Sequence, residues 1–381
     1  MNDHMVYLDN AATTQPTLAV IEAVNLSLST GFFNPSALYK PAVAAAKEMD
    51  SCRQQIKDRL QAEQVIFTSG GTEANNLAIL GQLSGSRQGG RVLYSLGEHP
   101  SVKAACQALP EGFLATGIPL NREGVVDMEA FSRLLGPDTR LVCVMQVNNE
   151  TGAIQPLLEA AKLIKEKAPG AWLHVDGVQG FLRLPVRLKD FGIDSYALSA
   201  HKVHGPKGIG ALALGGKKPI KPHLFGGGQE AGMRSGTENT PGIAGLVAAI
   251  QGFPSTQEMR ARKLRLYEGL RAVIPALLVN GPDPYGPSAC DHILNLSFPP
   301  VRAETMLHAL SAKGVYVSHG AACSSRKSRH SETLKAMGIG QAALDGALRF
   351  SLSPYNTDEE INTAVNAVKE AYQALKEFTR R

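Results

Sequence analysis

Two residues of the sequence could together activate an amino acid. Lys202 lies in the run SAHKVHGPKG, directly after an apolar, strand-like stretch at 195–199. Asp176 lies in HVDGVQG, at the end of another strand-like stretch. A lysine amine can condense with an aldehyde, and a carboxylate can keep a pyridine nitrogen protonated, which makes the ring an electron sink. The pair therefore predicts a pyridoxal phosphate site.

A lysine between histidines and glycines is, taken alone, typical of a solvated loop, so this prediction depends on other residues. In FTSGGTEANN the pattern predicts a strand, a tight turn and a helix that begins near Thr72. The N–H groups of such a helix start and the Thr72 hydroxyl can bind a phosphate, although a purely structural turn would use the same glycines. GPKGIGALAL lacks the spacing of a nucleotide-binding loop. His201 and His204 flank Lys202 without a third ligand, so we predict no metal site.

The elements that position these residues alternate between helix and strand from about residue 42. We predict helices up to Leu60 and over 73–83, 102–109, 128–135 and 157–167, and strands over 65–68, 91–94, 141–146, 172–175 and 195–199. This alternation predicts an α/β fold with a mostly parallel sheet covered by helices. Thr72, Asn149, Asp176 and Lys202 each follow a different strand, so they should converge at the carboxyl edge of the sheet.

The last third of the chain predicts a smaller α+β domain. After GGGQEAGMRSGTENTP we predict one long helix over 242–274, strands near 293–298, 315–318 and 347–352, and a closing helix that follows the capping box at Thr357. We place the large domain at 16–254. The small domain would comprise 1–15 and 255–381.

Composition limits the classes of function. The formal charge of +5 is spread along 381 residues, which does not favour a nucleic-acid surface. No apolar run reaches the roughly 18 residues of a membrane helix, and the start of the chain lacks the pattern of a signal peptide. The five cysteines form no C-x-x-C pair, as is typical of a reducing compartment. We therefore expect a cytoplasmic protein without membrane or nucleic-acid partners.

Nine segments of the chain carry a resemblance to a known family. They are YLDNAATT, TSGGTEANN, GEHPSV, VNNETGAIQP, HVDGVQ, SAHKVHGPKGIGAL, GGGQEAGMRSGTENTP, GAACSS and LRFSLS. In this order, from about residue 6 to about 370, the chain resembles the cysteine desulfurases of the nitrogen-fixation and iron–sulfur-assembly type. These are class V aminotransferases with the fold of type I pyridoxal-phosphate-dependent transferases.

The resemblance implies a role for each matching residue. It makes Lys202 the residue that binds the cofactor covalently, His99 the residue that stacks on its ring and Asp176 the partner of its pyridine nitrogen. The other implied cofactor contacts are Gln179 at the ring oxygen, Gly71, Thr72, Ser199 and His201 around the phosphate, and Thr237 from the second subunit of a homodimer. Asn149 and Arg349 would bind the substrate carboxylate, for which the planar guanidinium of Arg349 is suited.

The implied reaction converts L-cysteine to L-alanine. Lys202 would remove the Cα proton, and His99 would handle the proton of the substrate thiol. Cys323, within SHGAACSSRKSRH, would attack the substrate sulfur as a thiolate and form a persulfide for delivery to an acceptor protein. Arg326, Lys327, Arg329 and His330 could lower the pKa of this thiol or contact an acidic acceptor; a solvated loop is the alternative.

The sequence departs from the family pattern in two places and leaves rival functions open. HVDGVQG stands where the family has HVDATQS, and SHGAACSS stands where it has SSGSACTS, which places His319 near Cys323. A selenocysteine lyase would share the cofactor site, and an ordinary class V aminotransferase would not need Cys323. A non-catalytic assembly partner would not need to keep Lys202. The acceptor, in iron–sulfur assembly or in tRNA or cofactor thiolation, is left open.

Overall fold

The computed structural model describes residues 5–84, 89–216, 220–320 and 330–378. Its strands, in chain order, are β1 (Val6–Tyr7), β2 (Gln64–Thr68), β3 (Gly90–Ser95), β4 (Phe113–Ile118), β5 (Thr139–Cys143), β6 (Trp172–Asp176), β7 (Ser195–Ser199), β8 (Gly210–Leu214), β9 (Leu278–Val279), β10 (Ile293–Ser297), β11 (Val315–Tyr316), β12 (Ser318–His319) and β13 (Ala347–Ser351). Its α-helices are α1 (Leu18–Ser29), α2 (Lys40–Leu60), α3 (Gly71–Leu83), α4 (Pro100–Gln107), α5 (Met128–Leu134), α6 (Leu157–Lys167), α7 (Leu188–Phe191), α8 (Thr240–Gly252), α9 (Gln257–Val273), α10 (Ala303–Ala312), α11 (Glu332–Ala336), α12 (Gln341–Gly346) and α13 (Asp358–Phe378). Short 3-10 turns span Ala200–Lys202 and Glu230–Gly232.

The large sheet is mixed and mostly parallel. Its strand order is β2-β8-β7-β6-β5-β3-β4, and only β8 is antiparallel to its neighbours. Every residue of β6, β7 and β8 is buried. Along β6, Leu173 and Val175 pack into one core and Trp172 packs into the core on the opposite face. Helices therefore cover both faces of the sheet, as the continuous apolar strands predict, and the predicted α/β fold is confirmed.

The structure contains several elements that were not predicted from the sequence, and others differ from their predicted positions. The elements that were not predicted include α1, α10, β4 and β8; β8 has the sequence GALAL, which contains no β-branched or aromatic residue. The single helix predicted over 242–274 is wrong, because α8 ends at Gly252 and α9 begins at Gln257. Pro254 lies between them, and proline lacks the N–H that a continuous helix requires there.

A second, antiparallel sheet has the order β12-β13-β10-β9. Its core includes Leu266 of α9, Met306 of α10 and Val368 of α13. Strand β1 pairs with β11, and Val6 and Leu8 are buried in the same core. The single strand predicted at 315–318 is wrong, because it divides into β11 and β12, which belong to different sheets.

The division of the chain into 16–254 and 1–15 with 255–381 stays a prediction. The two sheets have separate apolar cores, but residues beyond 330 contribute to both of them. Leu334, Met337 and Leu344 pack into the core of the large sheet. The segment around α11 and α12 therefore contacts the large sheet although it follows the second sheet in sequence.

The closing helix α13 has the predicted capping box. The backbone N–H of Thr357 donates to Glu360 Oε2 at 2.8 Å, and the N–H of Glu360 donates to Thr357 Oγ1 at 3.2 Å. Ile361 and Ala364 on its inner face are fully buried. Within the described ranges, no helix has both the length and the apolar character needed to cross a lipid bilayer.

Candidate active site

Polar residues from several strand ends meet at one cavity of about 200 Å³. The cavity lies beside the carboxyl ends of β6 and β7 and the first residues of α3, which is where ligands bind in open α/β sheets. The predicted site residues that line it are Gly71, Thr72, His99, Asn149, Asp176, Gln179, Ser199, His201, Lys202 and Arg349. The structure therefore brings ten of the predicted residues to one place.

Lys202 is positioned by β7 and by the N-terminal segment. The strand ends at Ser199, and the 3-10 turn Ala200–Lys202 directs the lysine towards the cavity. Its Nζ donates to the backbone oxygens of Ala11 and Ala12, at 2.8 and 2.6 Å. The ammonium group is thereby held at the wall of the cavity.

The turn between β2 and α3 approaches the strand ends closely. A Cβ added at Gly71 would lie 2.6 Å from Val178 Cγ2, so a larger residue would displace the helix start. Glu73, one turn into the helix, accepts from the N–H of Ser69 at 2.7 Å and from Arg234 Nε at 2.9 Å. Burial raises the pKa of Glu73, but the bonds from Arg234 and Ser69 outweigh burial and hold it below its usual value. The turn therefore has a fixed shape, and its helix start can bind an anion.

Asp176, the last residue of β6, is nearly fully buried. Its Oδ1 accepts from the N–H of Val178 at 3.0 Å, and its Oδ2 accepts from Asn75 Nδ2 at 2.8 Å. Two N–H donors stabilise the ionised form of a carboxyl group. An anionic carboxylate at the cavity wall can pair with a protonated ring nitrogen.

His99 precedes α4 and caps its first turn. Its Nδ1 accepts from the N–H of Ser101 at 3.1 Å and lies 2.8 Å from Ser101 Oγ. Burial lowers the pKa of His99, and the nearby Asp176 only partly offsets this effect. The ring is therefore neutral near pH 7.

Two further residues contact the N-terminal segment. Gln179 Nε2 donates to Ala11 O at 3.0 Å, and its Oε1 lies 3.2 Å from His292 Nε2. Its second amide hydrogen can bond to a ligand in the cavity. His201 Nδ1 lies 3.2 Å from Thr13 Oγ1, and burial together with the charge of Lys202 lowers its pKa to about 4. His201 is therefore neutral at pH 7, and a neutral ring can donate one hydrogen bond to a phosphate.

Arg349, at the centre of β13, is a buried cation with one unused edge. Its Nη2 lies 2.8 Å from Asp9 Oδ1, and its Nη1 donates to the backbone oxygen of Asn149 at 2.7 Å. Its Nε has no hydrogen-bond partner among the described residues although it is buried. A buried donor without a partner is rare in proteins. Arg349 also lines the cavity, where a guanidinium can donate to a carboxylate.

Two predicted site residues are not at this cavity. Thr237 is exposed and does not line it. Cys323 lies outside the described residues, together with Arg326, Lys327 and Arg329. His330 is described, and its Nε2 lies 3.6 Å from Asp345 Oδ1. The proposed roles of Thr237 and Cys323 stay predictions.

Three side chains that bond to the site residues were not predicted from the sequence. Asn75 bonds to Asp176, Ser101 bonds to His99, and Asp9 pairs with Arg349. Asn75 follows Gly71 by one helical turn, and that spacing places it on the same face of α3 as the helix start. Asp9 lies in YLDNAATT, but its partner is 340 residues away, so no local pattern could pair them.

The fold and the site together define a class of protein. A mostly parallel sheet with a lysine after one strand and a carboxylate at the end of its neighbour is the arrangement of the fold-type I, pyridoxal-phosphate-dependent transferases. A model of the family "Aminotransferase class-V" matches residues 6–363.

Relatives and solved structures narrow this class. The chain is 36% identical to a cysteine desulfurase of Sinorhizobium fredii, over 98% of this chain and 97% of that protein. A solved NifS-like protein is 31% identical, with a TM-score of 0.89 over 97% of this chain and 100% of its own. The structure of SspA in complex with cysteine is 31% identical, with a TM-score of 0.81 over 92% of this chain and 99% of its own. The chain therefore belongs to the class V aminotransferase family and, within it, to the cysteine desulfurases.

Proposed function

We propose that this chain is a pyridoxal-phosphate-dependent cysteine desulfurase that converts L-cysteine to L-alanine and carries the sulfur on Cys323. The observation that supports it best is the shared cavity, which combines Lys202, Asp176 and Arg349. An amine, a carboxylate for a ring nitrogen and a guanidinium for a substrate carboxylate are the groups that this chemistry needs. The cysteine desulfurase relatives support the same assignment.

The residues around the cavity fit the proposed cofactor. The start of α3 at Gly71 and Thr72, with Ser199 and neutral His201, would bind the phosphate. Asp176 would pair with the ring nitrogen, Gln179 would donate to the ring oxygen and His99 would stack on the ring. When bound through Lys202, pyridoxal phosphate supplies an electron sink for the substrate Cα.

The substrate proposal depends on Arg349 and Asn149. The carboxylate of L-cysteine would bond to the guanidinium of Arg349, which lines the cavity. Asn149 lines the same cavity and would contact the same group. The neighbour solved in complex with cysteine is in keeping with this substrate.

The protein residues would then transfer a proton and a sulfur atom. Lys202 Nζ would take the proton from the substrate Cα. The Cys323 thiolate would attack the substrate sulfur, so that an S–S bond forms while the Cβ–S bond breaks and its electron pair stays on the carbon fragment. Protonation of that fragment gives alanine. The net products, a Cys323 persulfide and alanine, require no external oxidant.

The other cysteines favour Cys323 as the sulfur carrier. Cys52, Cys106, Cys143 and Cys290 are all buried. Burial raises the pKa of Cys52 to about 11 and also raises the pKa of Cys143 and Cys290, so these thiols are poor nucleophiles.

Chain connectivity is in keeping with this role of Cys323. Ser318 of β12 pairs with Arg349, and Cys323 follows five residues later. At about 3.5 Å per extended residue, the Cα atom of Cys323 can be at most roughly 17 Å from that of Ser318.

We also propose a homodimer in which Thr237 of the partner subunit completes the phosphate site. Leu26 and Leu28 of α1 and Phe32 and Leu38 in the following loop are exposed, and such apolar groups often mark an interface. The chain would act on a sulfur-acceptor protein for iron–sulfur assembly or thiolation. Its four described cysteines are free thiols, which favours a cytoplasmic location.

The test is the release of alanine and sulfide from L-cysteine with a reductant. Wild type should form both products, and Cys323→Ala should retain bound cofactor but lose turnover. Cys52→Ala is the matched control and should retain turnover. A wild-type protein that binds pyridoxal phosphate but does not turn over cysteine would refute the proposal. Assays with selenocysteine and with amino-group acceptors would then distinguish a selenocysteine lyase from an aminotransferase.

A further inference from the structure

A chain of hydrogen bonds connects His174 to His99 along the wall of the cavity. Asn75 occupies its centre. Its Oδ1 lies 3.0 Å from His174 Nε2, and its Nδ2 lies 2.8 Å from Asp176 Oδ2 and 2.9 Å from Ser101 Oγ. Ser101 Oγ lies 2.8 Å from His99 Nδ1. Four separate elements, α3, α4, β6 and β7, contribute, because His174 Nδ1 also lies 2.9 Å from Ser195 Oγ.

The chemistry of these groups fixes the direction of each hydrogen bond. The ionised carboxylate of Asp176 is only an acceptor, so the atom of Asn75 that faces it must be the amide nitrogen. The amide oxygen therefore faces His174, which must carry its proton on Nε2. Burial lowers the pKa of His174 to about 3, so its ring is neutral and its Nδ1 accepts from the Ser195 hydroxyl.

The same logic extends through Ser101 to His99. Asn75 Nδ2 has two hydrogens, and the second donates to Ser101 Oγ. The Ser101 hydroxyl is then directed to donate its own hydrogen to His99 Nδ1. The backbone N–H of Ser101 donates to the same nitrogen at 3.1 Å, and this donor cannot be reversed. With two donors at Nδ1, the proton of the neutral His99 ring lies on Nε2.

We propose that Asn75 is a positioning residue of the active site: it donates to Asp176 and directs the Ser101 hydroxyl to His99 Nδ1, where this hydroxyl and the backbone N–H of Ser101 together hold the ring in the Nε2–H tautomer. His99 then presents a hydrogen-bond donor to the cavity. The catalytic use of this donor rests on the proposed desulfurase function, but the tautomer itself does not.

This arrangement changes the role that the sequence suggested for His99. Resting His99 has no vacant nitrogen with which to take the proton of the substrate thiol. Its Nε2–H would instead donate to the substrate sulfur and stabilise negative charge there. The thiol proton would pass to solvent, because Lys202 Nζ takes the proton from Cα.

The tautomer can be measured by nitrogen NMR on the full-length protein labelled with ¹⁵N-histidine, both loaded with pyridoxal phosphate and free of it. The His99 signals are assigned by their loss in His99→Gln. In wild type, Nε2 should have the shift and coupling of a protonated nitrogen, and Nδ1 those of a hydrogen-bonded acceptor. A proton on Nδ1, or on both nitrogens, at neutral pH would overturn the proposal.

Two variants and one control test the role of Asn75. In Asn75→Ala and in Ser101→Ala the proton should stay on Nε2, because the backbone N–H of Ser101 still donates to His99 Nδ1, but the Nδ1 signal should shift towards that of a more weakly hydrogen-bonded acceptor. Asn75→Ala should also weaken pyridoxal phosphate binding by about tenfold, because Asp176 loses a donor. Asn366→Ala, on the exposed face of α13, is the matched control. If Asn75→Ala gives the same shifts and affinity as Asn366→Ala, the proposal is wrong.

These outcomes are independent of the proposed function. Should Asn75→Ala fail to fold, the wild-type tautomer and the Ser101→Ala shift still decide the question. A wild-type protein with the Nε2–H tautomer but no turnover of cysteine would retain the inference and refute the desulfurase activity.

Discussion

Arg349 Nη2 lies 2.8 Å from Asp9 Oδ1, so the proposed substrate site contains an internal ion pair. The guanidinium is 2% exposed, and a buried cation without a counter-ion would be strongly destabilising. Asp9 neutralises the charge while Asn149 O accepts from Nη1. This pairing holds the guanidinium of Arg349 in a fixed position at the wall of the cavity.

Arg349→Lys should weaken cysteine binding more than it slows turnover. A lysine retains the charge, but it cannot bond to Asp9, Asn149 O and a substrate carboxylate with one planar group. We expect KM for cysteine to rise by about 10- to 100-fold, the effect of losing a hydrogen bond to a charged group. Steady-state alanine formation measures it. Arg133→Lys, on the exposed face of α5, is the control, and an unchanged KM in Arg349→Lys would contradict the substrate assignment.

Gly71→Ala should disturb the phosphate site through Val178. The added methyl would lie 2.6 Å from Val178 Cγ2 and would displace the start of α3. Overpacking of this kind costs about 1–3 kcal/mol, so we expect roughly tenfold weaker binding of pyridoxal phosphate in absorbance titrations. The double variant Gly71→Ala, Val178→Ala should recover much of the affinity, because the clash is removed.

Gly170→Ala is the matched control, since an added Cβ there meets nothing within 4 Å. If Gly71→Ala binds the cofactor as tightly as Gly170→Ala, the helix start does not contact the phosphate.

Arg234→Gln should weaken cofactor binding through charge. Arg234 neutralises Glu73, whose carboxylate also holds the N–H of Ser69 in the turn. Without Arg234, an uncompensated negative charge would lie close to the proposed phosphate site and repel it. We expect about tenfold lower affinity for pyridoxal phosphate at low salt, and a smaller loss at high salt, because salt screens partly exposed charges.

The double variant Glu73→Gln, Arg234→Gln separates charge from packing. It should bind pyridoxal phosphate more tightly than Arg234→Gln alone, because the repelling carboxylate is gone. Lys313→Gln, which breaks a surface ion pair with Glu370, is the control for a general loss of positive charge. Equal affinities of the single and double variants would exclude the electrostatic explanation.

The residues that the sequence could place are those that follow buried strands. Strands such as β6 are apolar on both faces, so their positions can be predicted from the sequence. Asp176 and Lys202 occur where the apolar pattern stops. The carboxyl ends of neighbouring strands share an edge, which is why these residues could be predicted to converge.

The residues that the sequence could not place depend on long-range contacts. Asn75 is an ordinary amide in the middle of a helix, and only the folded chain brings it to Asp176 and Ser101. Strand β8 has small residues without a clear strand pattern, and the split of 315–318 between two sheets depends on which neighbours pair with it. These features arise from tertiary structure and leave no local signal.

His174→Gln should make the protein less sensitive to acid. Full burial lowers the pKa of His174 to about 3, whereas an unfolded histidine titrates near 6.5. Between these values the unfolded chain binds the proton and the folded chain does not, so stability is lost as the pH falls below about 6.5. At pH 5 the expected contribution is about 2 kcal/mol. Glutamine can still donate to Asn75 Oδ1 but does not titrate.

Urea denaturation midpoints of the cofactor-free protein at pH 7 and pH 5 measure this effect. The midpoint should fall less between the two pH values in His174→Gln than in wild type, and the remaining loss should come from other buried histidines such as His201 and His204, whose pKa values are about 4. His308→Gln replaces an exposed histidine and should behave as wild type. If His174→Gln keeps the full acid sensitivity of wild type, then His174 is not held neutral by burial; a protonated ring would donate from both nitrogens, so the bond to Asn75 Oδ1 would keep its direction and the bond to Ser195 Oγ would be reversed.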